Sequence, residues 1–325
     1  MEDASVIANS ITLANLRGAD SHGILRVPIY IKRLRKGLVN KSSEFSIETD
    51  SPALAICDAH NTMGQVAGRK GMKVAMEKAK QMGIGMAVVK NSNHFGVAAE
   101  YSLMAVEEGM FGISMSNATP LMAPTGGLGK AIGNNPLALA FPNGDVPVAV
   151  DMAMTTVALG KVLSKASNRE PVPVGWGVDK NGVDTTDPNA ITNGGYLLPL
   201  GGPKGYALAV AVEILTGVLA GSAVCKEVLS LQNMEEPLYI THTFIAIDYG
   251  RFIPEPAYKE RMAKMEGFLR NCQLLEGTDR IYLPGEIEEQ THKQRLEQGI
   301  QISGDLKSEL LQLAEELNIQ PLQLA

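Results

Sequence analysis

Three residues able to handle a proton and an anion fall four positions apart near the start of the chain: His22, Arg26 and Tyr30, within the stretch ADSHGILRVPIY that begins at Ala19. On a continuous helix that spacing puts all three on one face, a condition that Gly23 and Pro28 weaken. The residue types form a coherent set. An imidazole titrates near neutrality and can take a hydroxyl proton, while a guanidinium grips a carboxylate in two places. Ser21 is the immediate neighbour. The plainer alternative for the same residues is a capped helix start with a solvated arginine.

Two other places carry possible chemistry. His94 follows the strand-like run Gly85 to Lys90 and precedes a helix, so it sits at a strand's carboxyl end, where open α/β sheets bind ligands. Asn117 holds the same position after the next strand, and the two could line one crevice. The turn Gly201-Gly202-Pro203-Lys204-Gly205 opens directly into a long apolar helix. Free amides at a helix N-terminus favour an anion and Lys204 adds a full charge, although an ordinary Gly/Pro loop with a solvated lysine would look the same.

Several functions are disfavoured by what is missing. No GxGxxG occurs, because GGLGKAIG from Gly126 has the wrong spacing, and no Walker A sequence occurs. The Lys204 turn thus leaves a phosphoryl-binding transferase only as a different-class alternative. Cys57, Cys225 and Cys272 are far apart with no CxxC pair, and the five histidines are dispersed, so a reducing compartment and no metal site are expected. The net charge of −6 and pI near 5.5 argue against nucleic acid as partner. The one basic run, Lys32, Arg33, Arg35 and Lys36, is expected to be a solvated helix face. The N-terminus has early acidic residues and no basic n-region, from which a cytoplasmic location is expected. Gly205 to Val224 is long enough to span a bilayer, but mid-run Glu213 and two glycines favour a buried or dimer-interface helix over a membrane span.

The elements that must position these groups read as α/β. A helix over Asp3 to Leu16, a break at Pro28, a helix over Ile29 to Gly37, a helix from Gly64 to Met82, a strand over Gly85 to Lys90, a helix over Val97 to Glu108 and a strand over Phe111 to Met115 are expected. Strand-like runs follow at Leu137 to Phe141 and Pro147 to Val150, giving a sheet covered on both faces. The segment VPVGWGVDKNGVDTTDP, which carries Trp176, reads as a small hairpin, either packed on the surface or closing over ligand. The chain ends in amphipathic helices over Glu255 to Asn271 and Asp305 to Leu317.

The ordered motifs resemble the malate/L-lactate dehydrogenase family of the second type, which also takes in ureidoglycolate and sulfolactate dehydrogenases and 2,3-diketogulonate reductase. The resemblance is carried by RGADSHGILRVPIYIKRL from Arg17, NSNHFG from Asn91, SNATPLMAPTGG from Ser116, GNNPLALAFP from Gly133, VDMAMTTVALGK from Val150, GPKGYALAV from Gly202 and LPGE from Leu283. It implies an α/β, non-Rossmann nicotinamide-binding fold with a mixed sheet and interleaved helical segments, which accounts for the missing fingerprint. It implies a cytoplasmic homodimer that moves a hydride between NAD, or NADP, and a small 2-hydroxy or 2-keto acid. A ureidoglycolate dehydrogenase or a keto-sugar-acid reductase of the same family is the alternative.

By the same resemblance, His22 or His94 carries the proton, with Arg26 and Tyr30 on the substrate side and Ser21 beside them; Asn117 is a substrate-side candidate from its place at a strand end alone. The positions matching cofactor contacts are Val150, Asp151, Met152, Ala153, Met154, Thr155 and Thr156, then Pro203 and Lys204, then Gly285 and Glu286. Asp151, a carboxylate after a strand, could accept a ribose hydroxyl or hold a loop. The expected organisation is a mainly helical unit of 1–55 plus 250–325, a nicotinamide-binding unit of 56–160 plus 196–249, and a hairpin region of 161–195. Two departures from the family, a start inside its first helical region and SAVCKEV from Ser222, bear on dimer contacts and N-terminal packing.

Overall fold

A computed structural model of the protein describes residues 2–42 and 44–321. Its strands are β1 (Ser46–Asp50), β2 (Leu54–Asp58), β3 (Ile84–Ser92), β4 (Phe111–Ser116), β5 (Pro120–Met122), β6 (Ile132–Gly133), β7 (Leu137–Phe141), β8 (Val148–Met152), β9 (Gly177–Val178), β10 (Tyr196–Leu197) and β11 (Ile240–Ile247). Its helices are α1 (Glu2–Leu16), α2 (Val27–Arg35), α3 (Gly64–Met82), α4 (Ala98–Glu107), α5 (Leu159–Ser167), α6 (Pro188–Thr192), α7 (Pro203–Glu213), α8 (Glu255–Arg270), α9 (Glu286–Gln298) and α10 (Gly304–Leu317), with a π-helical turn at Ile214–Val218 continuing α7.

The main sheet runs β1-β2-β3-β11-β4-β7-β8 and is mixed. β11 pairs antiparallel with both β3 and β4, β7 antiparallel with β4, and β8 antiparallel with β7, while β2 is parallel to β3. It follows that β2, β3, β4 and β8 all point the same way. Their carboxyl ends, and the motif segments that follow them, share one edge of the sheet. β11 was not foreseen: the α/β alternation suggests β3 and β4 as neighbours, and a strand arriving from far down the chain separates them. The residues of β11 are the β-branched and aromatic types of a buried strand, ITHTFIAI.

Helices α3 and α4 cover one face. The sequence permits close packing because the contact residues are small: Ala67, Ala75, Ala98 and Ala105 sit with Phe244 and Tyr101 in one cluster of buried residues. α3 stops at Gly83, whose φ of +87° lets its N–H close back on the Ala79 carbonyl at 2.7 Å. On the other face the π-helical turn crosses β11, where Thr243 donates to the Leu215 carbonyl at 2.6 Å. Coverage of both faces, as expected, keeps the central strands dry.

A second sheet, β6-β5-β10-β9, draws together residues from 120–133 and 177–197. Two expected boundaries therefore fall in the wrong place. The division at residue 55 cuts through β2, and β1 belongs to the main sheet rather than to the N-terminal helices. The hairpin region is not separate either, since β9 pairs with β10 and β10 with β5. Trp176 is half-buried against Val157, Val162, Val172, Ile191 and Leu197, which anchors the hairpin to that sheet. The last four residues of the expected C-terminal unit lie outside the described residues.

Two local expectations are corrected. Pro28 does not interrupt a helix but opens α2, where its missing N–H costs nothing. The basic run is not simply a solvated face. Arg33 is only 1% exposed and donates to the carbonyls of Asn233 and Glu236, tying α2 to the 231–236 loop. Lys32 and Arg35 face α10 at Glu309 and Glu316. The 3.6-residue period separates these neighbours by about 100°, so one run serves two purposes. Among the described residues no helix is long and apolar enough to cross a membrane.

Candidate active site

The segment bearing His22 is two short 3₁₀ turns, Asp20–His22 and Ile24–Arg26, rather than one helix. They meet at Gly23, where a side chain would collide with the amide of Asn15, at 2.1 Å from its Oδ1. Asn15 uses that closeness: its Oδ1 accepts from the Ile24 N–H at 2.7 Å and its Nδ2 donates to Asp20 at 2.7 Å. Arg295 of α9 clamps the same Asp20 from outside, at 2.6 and 2.9 Å. The expected single face is thus absent, yet the turns still bring the three side chains together.

They converge on His94. The His22 and His94 rings stack with centroids 5.3 Å apart. Tyr30 places its hydroxyl 2.6 Å from His94 Nδ1, and Ser21 places its hydroxyl 2.9 Å from His22 Nδ1. Arg26 donates through Nε to the Ser21 carbonyl at 2.7 Å. Among the described residues its two terminal amino groups have no acceptor and no carboxylate within ion-pair distance, and neither imidazole Nε2 has a protein partner. The first turn of α5 closes this side, with Gly160 lying against Ser21.

The electrostatics follow from burial next to a cation. Burial, with Arg26 beside it, pushes His22 down to about 4. Burial first, and then His22, Arg26 and His242, hold His94 well below the ordinary imidazole range. Burial pushes Tyr30 up to about 12. Both imidazoles are therefore neutral at pH 7, each with one nitrogen able to accept a proton, beside a positive charge that no protein group neutralises.

His242 and Gln65 were not singled out from the sequence. His242, on β11 between β3 and β4, is fully buried; its Nδ1 meets the Ser116 hydroxyl and its Nε2 the Ser92 hydroxyl, each at 2.9 Å, with the Asn93 carbonyl at 3.1 Å. It stacks on Phe95 at 4.2 Å, so it grips the loop on both sides of His94. Burial pushes it down to about 3. Recognising β11 in ITHTFIAI was the signal available for it. Gln65, in the first turn of α3, donates to the Tyr30 hydroxyl at 3.2 Å.

Asn117 is not brought to this cluster. It is 1% exposed, its Oδ1 accepts from the Thr241 N–H at 2.8 Å, and its Nδ2 donates to the Ala223 carbonyl at 2.9 Å. Glu213 joins the same buried network, accepting from Asn135 at 2.7 Å and from the Cys225 N–H at 2.8 Å. The carboxylate that interrupts the apolar run therefore fastens α7 to the ends of the strands.

The positions matched to cofactor contacts fall into two groups. Val150, Asp151 and Met152 close β8, and Ala153 turns the chain. Met154 donates to Asn134 at 2.7 Å and accepts from Leu200 at 2.9 Å, while Thr155 bridges to Pro199 and Thr156 donates to Leu198 at 2.9 Å. This seats the segment against the Gly201–Gly205 turn, where Pro203 and Lys204 are exposed at the start of α7. Gly285 and Glu286 lie instead on the outer side of β8, where Pro284 accepts from Ala149 at 2.9 Å. Glu286 pairs with Arg270 at 2.6 Å and Arg280 at 3.1 Å and accepts from the Leu283 N–H at 2.8 Å, contacts that hold its carboxyl below the usual range. Asp151 accepts from the Ala99 N–H at 2.9 Å, in the first turn of α4. The other carboxylate oxygen of Asp151 is not used in that hydrogen bond, and the residue is exposed.

The chain is similar to known proteins in both sequence and fold. A family model described as malate/L-lactate dehydrogenase matches residues 1–311. The malate dehydrogenase of Pyrococcus horikoshii is 38% identical over 328 residues, spanning 99% of this chain and 91% of its own. The L-sulfolactate dehydrogenase of Methanocaldococcus jannaschii is 39% identical, spanning 98% and 91%. The NAD(+) ureidoglycolate dehydrogenase of Escherichia coli K12 is 34% identical, spanning 95% and 88%. Among solved structures, malate dehydrogenase from Entamoeba histolytica superposes with a TM-score of 0.94 at 34% identity, covering 99% of this chain and 93% of that one. With a family model over nearly the whole chain and relatives of matching length, the chain belongs to the malate/L-lactate dehydrogenase family.

Proposed function

We propose that the chain is a nicotinamide-dependent dehydrogenase of small 2-hydroxy acids, with the substrate held at the His22–His94 pair. The observation that carries this reading is Arg26: a half-buried guanidinium whose terminal amino groups find no acceptor among the described residues, beside two neutral imidazoles with open Nε2 atoms. An uncompensated charge in such a place is costly unless a ligand completes it. A carboxylate does so with two charge-assisted hydrogen bonds, and the adjacent hydroxyl then falls to the imidazole pair.

In this reading Arg26 binds and orients the carboxylate while its Nε, fixed on the Ser21 carbonyl, keeps the fork from turning. The imidazole pair takes the hydroxyl proton during oxidation and returns it during reduction. Bringing a carboxylate to Arg26 also offsets the part of the His22 depression that this charge adds to burial, and so raises the basicity of the group that needs it. A bound nicotinamide supplies the hydride acceptor. The residues present fit such a cofactor: among the described residues the exposed Lys204 ammonium has no protein partner, and it stands at the N-terminus of the eleven-residue α7 beside the Met154–Thr156 segment, a donor set suited to a pyrophosphate. NAD is the cofactor proposed, with NADP as the alternative outcome.

We also propose a cytoplasmic homodimer. Leu208, Ile214, Val218 and Leu219 on α7 and its π-helical continuation are 41%, 51%, 56% and 48% exposed, an apolar face suited to burial against a second copy. Light scattering should give twice the chain mass, and a monomer at micromolar concentration would overturn this.

The deciding experiment is a panel of malate, lactate, sulfolactate, ureidoglycolate and keto-sugar acids with NAD and NADP, followed at the reduced-nicotinamide absorbance. Turnover of at least one 2-hydroxy or 2-keto acid is expected, with losses of roughly a hundredfold or more in His22→Ala or His94→Ala. No turnover of any of them, with NADH binding retained, would overturn the dehydrogenase reading.

A further inference from the structure

Tyr30 stands between two groups that cannot both be satisfied in either order without consequence. Its hydroxyl lies 2.6 Å from His94 Nδ1 and 3.2 Å from Gln65 Nε2. Gln65 is fully buried, and its Oε1 has no partner among the described residues. An amide N–H can only donate, so the Gln65 N–H occupies one lone pair of the Tyr30 oxygen, and among the described residues His94 Nδ1 is the acceptor left for the buried Tyr30 proton. Reversing the amide would satisfy Oε1 but strand an entire buried NH₂ group. An orphaned buried donor is the rarer and costlier fault compared with an under-used carbonyl oxygen.

The consequence reaches the substrate side of the ring. With Nδ1 accepting from Tyr30, the neutral His94 carries its proton on Nε2 and presents a donor. His22 is under no such constraint, because Ser21 is a hydroxyl that can accept from Nδ1 as readily as donate to it. We propose that Gln65 is a positioning residue that sets the direction of the Tyr30–His94 hydrogen bond, making His94 a donor to the substrate oxygen and leaving His22 to exchange the proton. During oxidation the substrate O–H bond breaks and its proton passes to Nε2 of His22, while the adjacent C–H bond breaks with its hydride going to the nicotinamide acceptor of the dehydrogenase reading. The oxygen, now a carbonyl, stays hydrogen-bonded to the Nε2–H of His94. The assignment rests on the dehydrogenase reading above, and it resolves the pair of histidines that the sequence left open.

The substitution that tests it is Gln65→Glu, which keeps the shape and replaces the donor with an acceptor. The Tyr30 proton should then turn to residue 65 and His94 should donate from Nδ1, freeing its Nε2. Imidazole nitrogen NMR on the substrate-free protein reads this directly. His94 is expected as the Nε2–H tautomer in the unsubstituted protein and as the Nδ1–H tautomer in Gln65→Glu; an Nδ1–H His94 in the unsubstituted protein overturns the proposal. Since no turnover is needed, this outcome is separate from whether a hydroxy acid is the substrate.

Kinetics give the second readout. Gln65→Glu should lower kcat about thirtyfold, within the range of general acid–base effects, with KM changed by less than about threefold. His22→Ala should cost about a hundredfold or more in the unsubstituted protein but only about tenfold in the Gln65→Glu background, where His94 can accept the proton. An equal cost in both backgrounds overturns the assignment. If Gln65→Glu does not fold, Gln65→Leu removes the donor without adding a charge. His94 should then populate both tautomers, and a purely Nε2–H His94 in that variant overturns the role of Gln65.

Discussion

Two polar clusters sit at the same edge of the main sheet and are built from the same kinds of residue, yet only one has chemistry to spare. Around Asn117, Asn135 and Glu213, amide and carboxylate groups are matched with backbone and side-chain partners within 3 Å, and Asn117 and Asn135 are at most 1% exposed. Around His22, Arg26 and His94, the Nε2 atoms of both rings and the ends of the guanidinium are left over. The difference teaches that a site is marked by donors and acceptors the fold has positioned but not consumed. The sharpest way to break the comparison is to remove the largest unspent group. Arg26→Gln should lower kcat/KM about a thousandfold, roughly 4 kcal/mol for a charge-assisted pair, mostly through KM. It should also move the acid limb of the oxidation profile upward from near pH 4, but only part of the way to the ordinary imidazole range, because burial is the larger cause of the His22 depression and Arg26 the smaller. Steady-state kinetics from pH 4 to 8 checks both; a loss confined to kcat would place Arg26 away from the carboxylate.

The converse substitution probes the consumed cluster. Asn117→Ala strands the Thr241 N–H and the Ala223 carbonyl, and should cost about 3 kcal/mol in stability. kcat/KM of the folded variant should stay within about threefold. Urea unfolding with kinetics on the same samples separates the two effects. A variant of normal stability with a tenfold higher KM would return Asn117 to the substrate side.

Most helices and the strands near the site were legible in the sequence because periodicity and turn residues are local signals. α3 ends where a glycine permits, and β3 and β4 stop within one or two residues of their expected ends. What was not legible depends on long-range pairing. Nothing between residues 84 and 116 announces that β11, more than a hundred residues later, divides β3 from β4. The same insertion hid His242 and made Asn117 look like a neighbour of His94. Similarly, the four-residue spacing of His22, Arg26 and Tyr30 pointed to the right set for a partly wrong reason. Two 3₁₀ turns hinged at Gly23, not one helix, assemble them.

His242 belongs to the consumed side of the comparison although it touches the loop of the unspent side, and pH tells which. Its native pKa is pushed down to about 3 by burial, whereas in the unfolded chain it returns to about 6.5. Between those values the unfolded state binds the extra proton, so the stability His242 contributes is present above pH 6.5 and is lost as pH falls. At pH 5 the loss should be about 2 kcal/mol. Chemical denaturation at pH 7 and pH 5 should therefore show a fall about 2 kcal/mol larger in the unsubstituted protein than in His242→Gln. Equal slopes would mean that His242 is not held neutral by the fold.

The smallest expected effect comes from the most exposed of the unspent groups, Lys204. It lies at the mouth of α7 with solvent around it, so water already screens much of its charge. If the α7 turn receives the cofactor's pyrophosphate, Lys204→Ala should weaken NADH binding only about fivefold, near 1 kcal/mol, and leave kcat almost unchanged. Salt separates this from a structural defect. Raising ionic strength from 20 to 300 mM should weaken NADH binding to the unsubstituted protein more than to the variant, so that the two titrations converge. A gap that persists undiminished in high salt would show that Lys204 acts by shaping the turn, which would move it from the unspent cluster to the consumed one.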